Sequence, residues 1–319
     1  MKQGEVTMVA PLNIQKAIKC GIEVNKVYAE DCLAGMQRIK DKSIDMILCD
    51  LPYGTTQNKW DSVIPLNDYI EVSINNKMVC MNQDDFKLYC FEKEIKLSES
   101  KKEWKKNHKK GLWSHYTRII KDNGAIVLTS QGNFTAKLIE SNEKIFKYKM
   151  VWEKSKSTNF LNSKKQPLRK HEDICVFYKK QPTYNPQMRE GEAYNKGVRK
   201  DQLTGSYGDF KPVEVKSDGL RYPHDIIYCK TAESEGKVYH PTQKPVELGR
   251  YLIKTFTNEG DIVLDNTCGS GSFLVAAALE KRNFIGFEKN EDVHLFKKEE
   301  ICYIDVCNNR IKESLNKVK

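Results

Sequence analysis

Residues 263–290 read VLDNTCGSGSFLVAAALEKRNFIGFEKN, and this stretch decides the fold. An apolar run ends at Asp265, a turn with two glycines follows, and the alanine-rich segment Ser272–Glu280 has the composition of a buried helix. A second apolar run then leads to another acidic residue, Glu288. The order strand, glycine turn, helix, strand predicts one repeating unit of a parallel sheet.

The rest of the chain alternates in the same way. Short apolar runs predict strands at Lys26–Ala29, Ile44–Cys49, Ala125–Thr129, Tyr148–Trp152, Ile174–Tyr178, Ile262–Leu264 and Phe284–Phe287. Helices are predicted at Leu33–Ile39, Trp113–Ile120, Pro245–Phe256, Ser272–Glu280 and the polar C-terminal segment. The tripeptide Asp122-Asn123-Gly124 is predicted as a turn. Together these segments predict an α/β fold with a mainly parallel sheet and helices on both faces.

Two stretches interrupt the alternation, and we predict both to be insertions. Residues 68–110 are highly charged and end in a run with six lysines around one tryptophan. Residues 181–238 mix Gly, Pro, Tyr and charged residues without clear periodicity. The core is then formed by residues 25–180 and 239–319, after an N-terminal extension of residues 1–24.

Composition narrows the classes of protein. The 319 residues carry a net charge of +10, which suits a polyanionic partner. No run of about 18 apolar residues is present, which excludes a transmembrane helix, and the N-terminus lacks the apolar run of a signal peptide. The ten cysteines include no CxxC pair, so we expect reduced thiols rather than disulfides or a metal site.

The glycine turn after Asp265 predicts a site for an adenosine-containing cofactor. Glycine lets the backbone turn sharply and approach a ligand, and Glu288 can accept hydrogen bonds from ribose hydroxyls. A nicotinamide or flavin cofactor favours a third glycine where this chain has Leu274, and the carboxylate of Asp265 would repel a pyrophosphate. The same carboxylate attracts an ammonium group, which favours S-adenosylmethionine. The alternative is an ordinary tight turn.

Asp50-Leu51-Pro52-Tyr53-Gly54 directly follows a predicted strand, at the edge where α/β sheets bind ligands. Asp50 and a backbone carbonyl can accept hydrogen bonds from an exocyclic amine, while Tyr53 can stack on a flat base. The alternative is a Pro-Tyr-Gly turn without function.

His240-Pro241-Thr242-Gln243-Lys244-Pro245 stands at the start of a predicted helix. A helix N-terminus with Thr242 and Lys244 nearby is a candidate site for a carboxylate, and an ordinary helix cap is the alternative.

In this order, the three motifs resemble the β-group of amino-group DNA methyltransferases, the N-4/N-6 DNA methylase family. Members modify adenine N6 or cytosine N4, and their (D/S)PPY motif precedes the cofactor motif. Further agreement comes from AEDCL at 29–33, IKDNGAIVLTS at 120–130 and RKHEDICVFYK at 169–179. Leu51 departs from the family pattern, in which this position is Pro, but it keeps the backbone carbonyl.

The resemblance implies a Rossmann-like methyltransferase fold, with a mainly parallel twisted sheet, helices on both faces and an inserted target-recognition segment. Residues 25–180 would be the catalytic half, with the charged insertion 68–110. Residues 181–238 would be the target-recognition insertion, and residues 239–319 the cofactor-binding half.

The resemblance also assigns site residues. The catalytic residues would be Asp50, Leu51, Pro52 and Tyr53, with Tyr53 stacked on a flipped base. The expected cofactor-binding residues are Asp31, Cys32, Asp50, His240, Thr242, Lys244, Asp265, Thr267, Gly269, Gly271 and Glu288. Asp31 would face the adenine of S-adenosylmethionine, Glu288 its ribose, and Thr242 and Lys244 its carboxylate.

Double-stranded DNA is the implied partner, and basic residues in both insertions are candidates for binding it. These residues are Lys101, Lys102, Lys105, Lys106, Arg189, Arg199 and Arg221, and Lys109 and Lys110 extend the lysine run. The alternative for the lysines is a solvated helical face. A cognate restriction endonuclease and a homodimer are further partner hypotheses. The protein is expected in the cytoplasm of a prokaryote, associated with the nucleoid and encoded by the prokaryote or by a phage.

Adenine N6 is favoured over cytosine N4 because the catalytic motif begins with Asp rather than Ser. Direct transfer to the amine needs no cysteine nucleophile. Two classes of alternative remain: an inactive homologue that only binds DNA, and an oxidoreductase.

Overall fold

A computed structural model describes residues 22–55, 61–199, 213–289, 294–296 and 299–317. Most of the predicted N-terminal extension, 1–24, lies outside these residues, as do residues 200–212 of the second insertion. The strands are β1 (Lys26–Ala29), β2 (Ile44–Asp50), β3 (Tyr69–Ile74), β4 (Lys77–Asn82), β5 (Ile120–Ser130), β6 (Phe146–Thr158), β7 (Arg169–Phe177), β8 (Arg189–Glu190), β9 (Tyr194–Arg199), β10 (Val213–Ser217), β11 (Leu220–Arg221), β12 (Ile226–Cys229), β13 (Ile262–Asp265), β14 (Asn283–Glu288), β15 (His294–Phe296) and β16 (Glu299–Ile301).

The helices are α1 (Cys32–Met36), α2 (Gln83–Glu92), α3 (Leu97–Asn107), α4 (Leu112–Ile119), α5 (Asn133–Glu140), α6 (Val246–Phe256), α7 (Ser272–Leu279) and α8 (Tyr303–Lys317). Short 3₁₀ turns cover Phe160–Asn162 and Ala232–Glu235. None of the helices in the described ranges combines the length and the apolar character that crossing a membrane requires.

Eight strands form the main sheet in the order β1-β14-β13-β2-β5-β7-β6-β12. Neighbours pair in parallel except β7, which runs antiparallel to both β5 and β6. The carboxyl ends of β2, β13 and β14 therefore meet at one edge, where α/β sheets place their ligand sites.

The core lies on both faces of this sheet. Along β2, Met46 and Leu48 pack in a cluster with α6, α7 and α8, whereas Ile47 and Cys49 pack in a second cluster with α1, α4 and α5. Alternate side chains of a strand point to opposite faces, so a strand that is apolar throughout must be covered on both sides. The predicted α/β, Rossmann-like arrangement is confirmed.

The turn predicted at Asp122-Asn123-Gly124 is wrong. These residues lie inside β5, where Ile120 pairs with Ile44 and the next paired residue, Ala125, lies opposite Met46. Four residues of β5 thus face the single residue Asp45, and the strand bulges instead of ending. The Lys121 ammonium, 2.5 Å from Asp45 Oδ1, stabilises this bulge from outside the tripeptide.

The first insertion folds as a small module of its own. Strands β3 and β4 form a hairpin whose turn residues, Asn75 and Asn76, have φ of +49° and +61°, as a two-residue type I′ turn requires. Helices α2 and α3 pack on this hairpin around a small buried cluster of Ile70, Phe86 and Cys90, with Trp104 of α3 against it. The module therefore has a separate core outside the main sheet.

The second insertion contains two short antiparallel ribbons, β8 with β11 and β9 with β10. Its last strand, β12, lies in the main sheet, parallel to β6, with Ile226 opposite Val151. The part of residues 181–238 that stands outside the sheet is therefore shorter than the composition indicated.

Candidate active site

Three acidic residues end three strands that share the same sheet edge. Asp50 ends β2, Asp265 ends β13 and Glu288 ends β14. Because β13 lies between β2 and β14, the carboxylate of Asp265 stands between the other two. Parallel pairing of three strands thus brings together acids that are far apart in the sequence.

The glycine turn after β13 is held by Glu288. Gly269 has φ +49°, and its backbone N–H donates to Glu288 Oε2 at 2.8 Å. Gly271 has φ +80° and precedes α7, and a Cβ at this position would lie 2.2 Å from Cys307 Sγ on α8. A Cβ on Gly269 would meet only open space. The first glycine therefore serves the backbone turn, and the second also serves helix packing.

Asp265 is 2% exposed, and burial raises the pKa of its carboxyl well above the usual value. The backbone N–H of Thr267 donates to its Oδ1 at 3.2 Å and lowers the pKa, while the charges of Asp50 and Glu288 raise it further. A cluster of three acids with the buried Asp265 at its centre disfavours another anion and favours a cation. The ammonium and sulfonium of S-adenosylmethionine fit this chemistry, whereas a pyrophosphate does not.

Asp31 and Cys32 open helix α1 beside the same edge. Asp31 is exposed and caps the helix, because its Oδ1 accepts from the backbone N–H groups of Leu33 at 2.9 Å and Ala34 at 3.2 Å. Burial raises the pKa of the Cys32 thiol to about 12, so the thiol is neutral near pH 7. Cys32 is therefore a small, neutral side chain at this edge.

The carboxylate of Asp50 is held by side chains rather than by the backbone. Its Oδ1 accepts from the Tyr53 hydroxyl at 2.8 Å and from Thr129 Oγ1 at 2.5 Å, and its Oδ2 accepts from Lys244 Nζ at 2.6 Å. A carboxylate offers about four acceptor positions, so Oδ2 retains one for a further donor. Thr267 Oγ1 donates to the Asp50 carbonyl at 3.0 Å and links the two motifs.

Lys244 belongs to a chain of alternating charges. Its Nζ lies 2.6 Å from Asp50 Oδ2 and 3.3 Å from Glu172 Oε2, and Glu172 Oε1 lies 3.2 Å from Lys154 Nζ. Burial lowers the pKa of Lys244, but the carboxylates of Asp50 and Glu172 outweigh it and raise the pKa above its usual value. Lys244 is thus a buried cation beside the Asp50–Tyr53 motif.

Glu172 and Lys154 were missed by the sequence reasoning. Glu172 lies within RKHEDICVFYK, which indicated only a family likeness, and Lys154 follows Trp152 on β6. A signal was available, because an acid and a lysine on predicted neighbouring strands next to apolar runs are candidates for a buried pair. Their link to Asp50, however, passes through Lys244, which is distant in the sequence.

The ring of Tyr53 lies against Phe134, with centroids 5.1 Å apart and planes inclined by 26°. Burial, reinforced by the charge of Asp50, raises the pKa of the Tyr53 hydroxyl well above its usual value, so it stays protonated and donates to Asp50. Lys244 Nζ lies 5.6 Å from the ring centroid. The ring is thus fixed by an aromatic neighbour, a hydrogen bond and a cation.

The residues before α6 separate into two groups. Lys244 faces Asp50, whereas exposed Thr242 bonds to His240, with its Oγ1 2.8 Å from His240 Nδ1. Gln243, to which the motif assigned no role, accepts from the Ser270 hydroxyl at 3.0 Å and ties this segment to the glycine turn. The His240 ring also meets Tyr303 of α8 edge to face.

The lysines of α3 and Arg189 are exposed, whereas Arg221 is half-buried. Four lysines, Lys101, Lys102, Lys105 and Lys106, are exposed on α3, whose Trp104 packs against the small cluster of the module. Arg221 stacks on the Tyr194 ring, with its guanidinium 4.6 Å from the centroid, and Arg189 contacts His224 at 2.6 Å. Arg199 ends β9, and its side chain lies outside the described part of the structure.

Comparison with known proteins leads to the same family as the sequence motifs. A family model described as DNA methylase matches residues 44–298. The type II methyltransferase M.HindIII of Haemophilus influenzae is 24% identical over 85% of this chain and 93% of its own length. The DNA adenine methyltransferase YhdJ of Escherichia coli is 25% identical over 94% of this chain and 89% of its own length.

Two solved structures share the fold. The M1.HpyAVI–SAM complex has a TM-score of 0.50 at 19% identity and covers 90% of this chain and 98% of its own. The PvuII cytosine-N4-specific DNA methyltransferase has a TM-score of 0.50 at 13% identity and covers 92% of each chain.

Proposed function

The chain belongs to the DNA methylase family of N6-adenine and N4-cytosine enzymes, which use S-adenosylmethionine, and we propose that it methylates N6 of adenine in double-stranded DNA. The observation that carries transfer to an exocyclic amine is the Asp50 carboxylate, which keeps an acceptor position for the amine while three side chains hold it. Adenine is chosen over cytosine because the motif begins with Asp rather than Ser. The name of YhdJ, an adenine methyltransferase, supports the same base.

The cofactor would be held by the acidic edge and the glycine turn. Asp265 would accept from the methionyl ammonium and Glu288 from the ribose hydroxyls, while Gly269, Gly271 and Thr267 line the turn and Asp31 and Cys32 border the adenine. His240 and Thr242 would lie near the carboxylate, and Lys244 would share its charge between that carboxylate and Asp50. Bound S-adenosylmethionine supplies an electrophilic methyl group.

Asp50 and the Leu51 carbonyl would position the target amine. The lone pair of an exocyclic amine is delocalised into the ring and is a weak nucleophile. Two acceptors on its N–H bonds draw the nitrogen toward tetrahedral geometry and free the lone pair on the side opposite them. Lys244 holds the Asp50 carboxylate through Oδ2 at 2.6 Å, and the excess N–H proton leaves the amine after transfer.

Tyr53 and Pro52 would receive the base itself. A base inside duplex DNA cannot reach this edge, so it must flip out of the stack, and the Tyr53 ring, already oriented by Phe134, offers a surface for stacking. Glu172 and Lys154 keep Lys244 in place beneath this surface. The charge chain is therefore a positioning device for Asp50.

Phosphate binding is assigned to basic residues. The lysines of α3 would contact the DNA backbone, and Arg189, Arg199 and Arg221 in the target-recognition segment would contact bases or phosphates. A cytoplasmic location and a cognate restriction endonuclease belong to the same proposal, supported by the type II methyltransferases among the relatives. A homodimer is proposed as a further hypothesis.

Methylation of cytosine N4 is the second candidate, because the PvuII DNA methyltransferase, which shares this fold, is cytosine-N4-specific. Unmethylated DNA incubated with the protein and S-adenosylmethionine carrying a labelled methyl group, then digested to nucleosides, separates the two. We expect the label in N6-methyladenine. Label in N4-methylcytosine would establish the second candidate, and the absence of label from both, with cofactor still bound, would indicate a homologue that only binds DNA.

A further inference from the structure

The hairpin of β6 and β7 projects from the edge that carries Asp50. Pairing of β7 with β5 ends at Asp173, opposite Ser130, but β7 continues to pair with β6 as far as Arg169, opposite Thr158. Four residues at about 3.3 Å each carry the hairpin about 13 Å beyond Asp173. Its base includes Lys154 and Glu172, so the hairpin rises directly from the charge chain.

Two adjacent apolar side chains form the tip of this hairpin. Phe160 is 66% exposed and Leu161 is 100% exposed. Single exposed apolar residues are ordinary on protein surfaces. Two adjacent ones at the end of a projecting hairpin form a wedge, an apolar patch whose exposure to water is unfavourable. We define Phe160 and Leu161 as the apolar tip.

The apolar tip is held in one shape. It lies in a 3₁₀ turn entered through Asn159, whose φ is +74°, and Asn162 Nδ2 donates to Asn159 Oδ1 at 2.8 Å. The backbone N–H of Lys165 donates to the Asn162 carbonyl at 2.8 Å. These bonds fix the turn without burying either apolar side chain, so the tip is ordered before any partner arrives.

The base of the hairpin is fixed as well. Arg169 donates to Gln131 Oε1 at 3.0 Å, and Gln131 Nε2 donates to the His171 carbonyl at 3.0 Å. Gln131 directly follows β5, whose residue Thr129 donates to Asp50. The tip therefore keeps a set distance from the catalytic carboxylate.

The charge around the tip identifies the partner. Residues 154–170, KSKSTNFLNSKKQPLRK, contain six Lys and Arg residues and no Asp or Glu. Lys154 is buried against Glu172 and Lys170 pairs with Glu153, so the cations that face a partner are Lys156, Lys164, Lys165 and Arg169. Such a segment is attracted to closely spaced phosphates, and an apolar tip between cations is the arrangement with which proteins enter stacked base pairs. A protein or membrane partner is not favoured, because the hairpin emerges from the edge at which the target base must arrive.

We propose that Phe160 and Leu161 enter the DNA duplex beside the target base and occupy stacking space while that base lies at Asp50. The inference deepens the proposed function, because it rests on a base of duplex DNA being the substrate. An apolar side chain that replaces the missing stacking lowers the free energy of the flipped state, whereas the flanking cations hold the backbone on either side.

The test uses the double variant Phe160→Ser/Leu161→Ser of the full chain. Substrates are duplex oligonucleotides containing the site identified by methylation sequencing, either fully paired or with the target base mispaired, which makes flipping easier. The matched control is Phe91→Ser, which removes another exposed aromatic ring, 79% exposed, from α2. Initial rates of methylation are measured for each protein on both substrates, after thermal unfolding shows that all three fold alike.

We expect the double variant to be slower by about tenfold or more on the paired duplex and to stay within about twofold of the parent on the mispaired duplex. The control should match the parent on both. Equal rates on the paired duplex, or equal reductions on both substrates, would overturn the wedge. Failure of the proposed function appears instead in the parent protein. If the parent methylates cytosine, the wedge is tested in the same way with a mispaired cytosine as the target base. If the parent methylates no DNA, both the wedge and the proposed function are overturned.

Discussion

The two halves of the active edge hold their acidic residues in different ways. On the cofactor side, Glu288 and Asp265 accept from backbone N–H groups of the glycine turn. On the target side, Asp50 accepts from the side chains of Tyr53, Thr129 and Lys244. The cofactor side is thus a local backbone structure, and the target side is an assembly of distant side chains.

This difference teaches what each half can tolerate. A backbone turn depends on φ angles and close packing, so its weak points are glycines. A network of side chains depends on charge balance, so its weak points are the ionised groups. Substitutions on the cofactor side should therefore lower stability and cofactor affinity. Substitutions on the target side should lower turnover.

The largest effect is expected on the target side. Asp50→Ala removes the acceptor for the target amine and leaves Lys244 facing Glu172 alone. We expect kcat to fall by about 10³-fold or more, while the dissociation constant of S-adenosylmethionine changes only several-fold. Single-turnover kinetics and calorimetric titration measure the two, and Asp50→Asn serves as the conservative control. Near-normal turnover of Asp50→Ala would contradict the assignment.

The next effect tests the backbone side. Gly271→Ala places a Cβ at φ +80° and 2.2 Å from Cys307 Sγ, whereas Gly269→Ala, at φ +49°, meets open space. We expect the free energy of unfolding to fall by about 3 kcal/mol for Gly271→Ala and about 1–2 kcal/mol for Gly269→Ala. Urea denaturation of both variants gives the comparison. Equal decreases would mean that α8 does not pack against the turn as described.

Cofactor affinity should respond at Glu288. Glu288→Ala removes the acceptor proposed for the ribose and the partner of the Gly269 N–H. We expect binding of S-adenosylmethionine to weaken by about 1.5–3 kcal/mol, and Glu288→Gln, which keeps an acceptor, to recover part of it. Calorimetric titration measures the affinity of each variant for S-adenosylmethionine. Unchanged affinity in both variants would mean that the glycine turn has only a structural role.

Asp265→Asn should separate binding from stability. The pKa of Asp265 is higher in the folded chain than its usual 3.8, so its ionisation destabilises the fold as pH rises above that value. Without cofactor, we expect Asn to raise the free energy of unfolding at pH 7 by on the order of 1 kcal/mol, with a smaller gain at pH 4. Binding of S-adenosylmethionine should weaken. A variant less stable than the parent at pH 7 would show that the carboxylate is satisfied in the fold.

The smallest effect concerns the module formed by residues 68–110. Replacing Lys101, Lys102, Lys105 and Lys106 with Gln should weaken binding to all DNA sequences alike. The slope of log K against log salt should fall by up to about 0.9 for each phosphate that these lysines no longer neutralise, with site preference unchanged. Arg189, Arg199 and Arg221 provide the contrast, because at least one of their variants should relax preference at a single base pair. An unchanged salt slope would make α3 a solvated face.

Local features of the chain were predictable from the sequence. The glycine turn after Asp265 and the strands ending at Asp50 and Glu288 follow from short apolar runs and from glycines with positive φ. The bulge at Asp122-Asn123-Gly124 was not predictable, because it depends on the register in which β5 pairs with β2, which a single sequence does not specify. Strand β12 escaped notice because its apolar run, IIYC at 226–229, is only four residues long and lies within a polar segment.

The target side could be predicted only in part. Asp50 and Tyr53 stand in one motif, but the partner of Asp50 on Oδ2 is 194 residues away. Lys154 and Glu172 join them only because β6 and β7 pair antiparallel, which a single sequence does not specify. The exposure of Phe160 and Leu161 likewise depends on how far that hairpin extends beyond β5.

The most direct test of the central claim is methylation-aware sequencing of DNA from cells that express the parent chain or Asp50→Ala. We predict N6-methyladenine at one recurring sequence with the parent and none above background with the variant. The same methyladenine pattern from Asp50→Ala, or N4-methylcytosine from the parent, would contradict the account of how this site selects and activates its base.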